Sequence, residues 1–133
     1  VENRTSFERA TRSREQDTAV LWLPGFPPTW WRDAVARLLG LVPAPAEIAC
    51  DPDPAGVAIA LEAGALWETA GLDWHPWHMG IDVLKALPSA QTLNEWDSQR
   101  INQLKGQPMP KALSELLDFM LQHNVKGEQE GAI

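Results

Sequence analysis

The chain has no tyrosine and a single cysteine among its 133 residues. A reaction that needs a tyrosine nucleophile would have to borrow one, and an internal disulfide framework is excluded. Long apolar runs are missing too. Nothing approaches the roughly 20 residues of a membrane-crossing helix, and no signal-peptide pattern is visible, so the chain reads as cytoplasmic. Positive charge is scarce, with 11 Lys and Arg against 18 Asp and Glu and a net charge of −7. A domain that grips nucleic acid by itself is normally basic. The few basic residues are bunched, however. Arg4, Arg9, Arg12, Arg14, Arg32 and Arg37 all fall in the first third, while the last third is acidic. Any DNA grip is therefore local or supplied by a partner. Internal repeats and low-complexity segments are absent as well.

What is present is enough for one compact domain of ordinary hydrophobic content, 44%, with seven tryptophans. The chain opens on Val1-Glu2-Asn3, which reads as a fragment of a longer protein entered inside or just after a strand. Residues 4–18 are polar and suit an exposed helix or loop. Residues 19–23, Ala-Val-Leu-Trp-Leu, suit a buried parallel strand. The turn Pro24-Gly25-Phe26-Pro27-Pro28 follows, with Thr29 as the cap of a helix over about residues 30–40. Its apolar spacing falls on Trp30, Ala34, Leu38 and Leu41. A second strand is predicted at about 47–51, a helix from Pro54 to about Ala70, and a short aromatic strand over Trp74–His78. Helices near 81–87, 91–104 and 110–123 complete the chain. Alternation of strand and helix predicts an α/β fold, a small parallel sheet of about four strands flanked by helices.

Chemistry concentrates in Glu47-Ile48-Ala49-Cys50-Asp51-Pro52-Asp53-Pro54-Ala55-Gly56-Val57. An apolar run ends in two aspartates one residue apart, whose side chains point the same way in extended chain. At the carboxyl end of a strand, such a pair suits a hard cation such as Mg²⁺. Equally, Asp53-Pro54 suits a helix cap followed by its first residue, with Asp51 merely finishing the strand. Cys50, inside the apolar run, reads as a buried thiol. Glu2 alone reads as a solvated carboxylate, gaining meaning only if it stands beside the strand that ends at Asp51. The Gly25 turn is no Walker loop, since no Lys-Ser/Thr follows it. His75 and His78 sit three apart without the further ligands zinc needs. Glu128-Gln129-Glu130 is a small acidic cluster of the kind found at solvated termini.

In order, Glu2, Gly25-Phe26-Pro27 and Asp51-Pro52-Asp53-Pro54-Ala55-Gly56 resemble the Toprim domain, in its topoisomerase VI A-subunit branch. Val1-Glu2-Asn3 with Phe7, and Glu128-Gln129-Glu130, are similar to the Toprim half of the nuclease subunit of Wadjet-type plasmid-defence systems. The resemblance implies a Rossmann-like Toprim domain over residues 1–133, from the C-terminal part of a protein whose DNA-binding part is not in this chain. It implies a Mg²⁺- or Mn²⁺-dependent DNA endonuclease domain, inactive in isolation. Asp51 and Asp53 would hold the metal, Glu2 would serve as ligand or general acid–base, and Glu128 and Glu130 would complete a second metal position. The implied partners are double-stranded DNA, reached through the full-length protein, the subunits of an SMC-like complex, and a second copy of the chain; no membrane is implied.

Two other functions stay open on the sequence. One is transesterification of the type II topoisomerase or meiotic-recombinase kind, using a tyrosine from another domain. The other is a binding module of plain α/β architecture, with exposed tryptophans docking a partner.

Overall fold

The computed structural model describes residues 1–88 and 90–127. Its elements are α1 (Arg4–Ser13), α2 (Thr29–Leu41), β1 (Ala46–Ile48), α3 (Pro54–Thr69), β2 (Trp74–Pro76), α4 (Ile81–Ala86), α5 (Glu95–Leu104) and α6 (Lys111–His123).

Helix α3 is the hub because its sequence is apolar on nearly every side. Val57, Ala58, Ile59, Ala60, Ala63 and Trp67 are all buried, and a helix apolar all round has to be enclosed. β1, β2, α2 and α5 pack around it. Small residues let them come close. A Cβ at Gly64 would lie 2.2 Å from the indole of Trp74 on β2. Asp53 caps the helix and Pro54 occupies its first turn, where the missing N–H costs nothing.

α5 starts on a full capping box: the Asn94 side chain accepts from the Asp97 N–H, and the Asp97 carboxylate accepts from the Asn94 N–H. The Lys126 ammonium reaches the same buried carboxylate at 2.7 Å, and Gln91 and Lys126 form an antiparallel bridge beside it. α6 buries Leu113, Leu116, Leu117 and Met120, as its spacing predicts, and ends on Asn124 in the left-handed region (φ 54°).

The sheet corrects the sequence reading. Among the described residues it has two strands, not four: β1 and β2 run parallel, with Ala46 opposite Trp74, Glu47 opposite His75 and Ile48 opposite Pro76. The Rossmann-like Toprim sheet is not formed. Proline explains the shortness. Pro43 and Pro45 precede β1, Pro52 and Pro54 follow it, and Pro76 ends β2 without an N–H to donate.

Residues 19–23, predicted as a buried strand, form none, and only Leu23 of them is buried. Two backbone bonds join this segment to Val1, the Val1 amine to the Leu21 carbonyl and the Leu23 N–H to the Val1 carbonyl, and a third joins the Glu2 N–H to the Ala49 carbonyl, each 2.9 Å. They fix the opening residues beside β1 without building another strand.

α2 differs in register. The apolar spacing at Trp30, Ala34, Leu38 and Leu41 faces outward, and the buried stripe is one residue on, at Trp31, Val35 and Leu39. The helix begins at Thr29 itself, with Pro28 as its cap, so Thr29 makes no cap hydrogen bond.

Among the described residues, no helix is long and apolar enough to cross a membrane.

Candidate functional site

From β1 the chain runs through Ala49 and Cys50, both fully buried, to Asp51. The structure does bring Glu2 here: its carboxylate accepts the Asp51 N–H at 3.2 Å. Asp53 caps its own helix, where Oδ1 accepts the Gly56 N–H at 2.5 Å. Gly56 is required, because a Cβ there would stand 1.9 Å from the Asp51 carbonyl oxygen. The helix-start reading of Asp53-Pro54 is therefore the observed one.

Burial dominates the electrostatics of this corner. It pushes the Asp53 carboxyl up to about 7 against the Gly56 hydrogen bond, with the charges of Asp51 and Glu2 adding to the rise. It likewise raises Glu2, although the Asp51 N–H and the neighbouring amino terminus pull the other way. Burial also lowers the Val1 amine and lifts the Cys50 thiol well above its ordinary value, so the thiol is an inert core group.

This arrangement overturns the metal reading. Among the described residues, no group of three or more His, Cys, Asp or Glu side chains is placed to hold a metal ion. Glu2 is turned onto one backbone amide and Asp53 onto another. The expected Mg²⁺ or Mn²⁺ site at Glu2, Asp51 and Asp53 is thus corrected, and so is the catalysis assigned to it. Neither the expected metal-dependent DNA cleavage nor transesterification has a site among the described residues. Glu128 and Glu130 lie outside the described residues. His75 and His78 are both exposed, and His78 stacks edge-on against Trp77. Two shallow depressions, of about 510 and 330 Å³, lie elsewhere, along Phe7–Val20 and beside Pro76–Val83. Neither is lined by Glu2, Asp51 or Asp53.

The surface that stands out is apolar. On α2, Trp30 is 65% exposed, Leu41 76% and Leu38 39%, with exposed Ala34 between them. Successive helical residues are separated by about 100°, so this outward stripe adjoins the buried one. Together they form an apolar arc over roughly half the circumference, wider than a single core-facing stripe needs.

Flanking residues extend the surface. Phe26 is exposed just before the helix, and Val42 just after it. The Arg100 guanidinium on α5 lies over both the Phe26 ring (5.4 Å) and the exposed Trp96 ring (4.2 Å). Trp22, also exposed, is held by its indole N–H on the Glu2 carbonyl, and buried Trp31 by its own on the Trp22 carbonyl.

On spacing alone the α2 stripe is the apolar face of a helix, a face that ordinarily turns to the core. The signal against that was the doubling of large apolar residues, Trp30-Trp31 and Leu38-Leu39, which supplies two stripes where one suffices.

No protein-family model matches the chain, and no curated protein matches it in sequence. The resemblance to the Toprim domain, to the topoisomerase VI A-subunit branch and to the Wadjet nuclease subunit is corrected accordingly. Its motifs are present as residues, but neither the sheet nor the metal cluster that would give them meaning is formed among the described residues.

Proposed function

We propose that the chain is a docking module that binds another polypeptide through the outward face of α2. The observation that carries this reading is the exposure of Trp30, Leu38 and Leu41 on one stripe, continuous with the buried arc of the same helix. Large apolar side chains gathered on a surface mark places where protein meets protein, and tryptophan is enriched among the residues that dominate such contacts. The stripe has the spacing of a helix–helix contact, i, i+4, i+8 and i+11. The negative total charge favours a polypeptide over nucleic acid as the occupant.

The test is a photo-crosslinking amino acid placed at Leu41 in the full-length protein in its own cells, with a second at Lys111, an exposed position on α6. Adducts to one defined polypeptide from position 41, identified by mass spectrometry and reproduced with purified components, are expected. Position 111 should yield none. Equal labelling from both positions, or no adduct from 41, overturns the reading.

A further inference from the structure

Resting on that reading, we infer that the polypeptide docked on α2 is a second copy of this chain, with the two α2 helices packed antiparallel about a twofold axis. Charge complementarity along one edge of the stripe, where Asp33 and Arg37 lie, carries the argument. In an isologous contact, residue i of one copy meets residue j of the other, and j meets i. Centring the axis between Val35 and Ala36 puts Trp30 opposite Leu41 of the partner subunit and Ala34 opposite Arg37 of the partner subunit. Asp33 then falls within one residue of the partner subunit's Arg37. Two opposite-charge pairs therefore form symmetrically from a single Asp and a single Arg.

Within one copy both charges are available. Among the described residues neither Asp33 nor Arg37 enters an ion pair, whereas neighbouring Arg32 is paired to Glu62 at 2.8 Å.

Shape follows the same dyad. The smallest stripe residue, Ala34, lies next to the axis, where two helix backbones come closest. Trp30 and Leu41 lie near the ends, roughly 16 Å apart along the helix, where each can cover the other's counterpart. A twofold parallel arrangement would instead carry this charged edge to opposite sides of the contact in the two copies, where neither opposite-charge pair forms. The pattern selects antiparallel self-pairing.

Sedimentation equilibrium of the full-length protein over a wide concentration range tests this, with folding of each variant checked by circular dichroism. The wild type should sediment as a dimer. Asp33→Arg and Arg37→Asp should each weaken the dimer about tenfold or more, since each turns two attractions into two repulsions. The double variant Asp33→Arg/Arg37→Asp should recover most of the loss. Leu41→Asp should leave a folded monomer. A monomeric wild type, or a dimer indifferent to the single reversals, overturns the inference. If the wild type is monomeric while crosslinks from position 41 reach a different protein, docking stands and self-pairing falls; without crosslinks from position 41, both fall.

Discussion

Helices α2 and α3 are both rich in large apolar side chains, yet they meet opposite fates. α3 is enclosed by β1, β2, α2 and α5, and even its glycines are filled by neighbours. α2 rests on α3 along Trp31, Val35 and Leu39 and leaves Trp30, Leu38 and Leu41 to solvent. The difference is one of supply: the elements among the described residues surround one apolar helix but not two. Hydrophobicity along a segment therefore tells how much surface wants covering, while the count of available neighbours decides which surface gets it.

The sharpest way to break this contrast is to truncate adjacent tryptophans. Trp31→Ala should cost about 3–5 kcal/mol of unfolding free energy in urea titrations, from the cavity left against α3 and the lost bond to the Trp22 carbonyl. Trp30→Ala, one residue away, belongs at the other end of the scale. If both variants cost the same at high dilution, the distinction between the two faces of α2 fails.

The enclosed helix should also object to charge at its start. The Asp53 carboxyl titrates at about 7 in the fold, against about 4 in the unfolded chain. Between those values the folded state binds the extra proton, so stability falls as pH rises from about 4 to about 7 and stays low above that. Asp53→Asn keeps a capping oxygen and removes the charge. Its Tm should exceed that of the wild type at pH 8, by an amount equivalent to about 2–4 kcal/mol, and the gap should close near pH 4. A gap that does not change with pH would refute the burial argument.

A methyl group probes the packing itself. Gly64→Ala pushes a Cβ into the Trp74 indole and should destabilise by about 1–3 kcal/mol, with a change in tryptophan fluorescence. The smallest effect is expected on the open side. Trp30→Ala and Leu38→Ala, measured at dilutions where the chain is monomeric, should stay within about 0.5 kcal/mol of wild type.

The helices were legible in the sequence and the sheet was not, for reasons visible in particular residues. Asp53-Pro54 announces α3, and Leu113, Leu116, Leu117 and Met120 define one unambiguous face of α6, while α5, expected from about residue 91, starts only at Glu95 behind the Asn94 cap. Each signal is local, and local signals survive folding. Strand formation depends on partners, and among the described residues the run at 19–23 makes strand-like backbone bonds to Val1 alone. Register failed on α2 because two stripes satisfied the same periodicity, and only the position of α3 chooses between them.

The carboxylates failed for a related reason. Nothing local to Glu2 sets it beside Asp51, and nothing in the Asp-x-Asp spacing shows that backbone amides at Asp51 and Gly56 claim the Glu2 and Asp53 oxygens.

The stacking of Arg100 on Phe26 and Trp96 has a consequence for binding cost. It ties the turn that leads into α2 to helix α5, which itself packs on the hub helix. A surface braced at its entry in this way loses little conformational freedom when a partner arrives. More of the contact energy then remains as affinity instead of being consumed in ordering the loop. Removing the guanidinium would thus be felt as slower, weaker docking by a module whose own fold is unchanged.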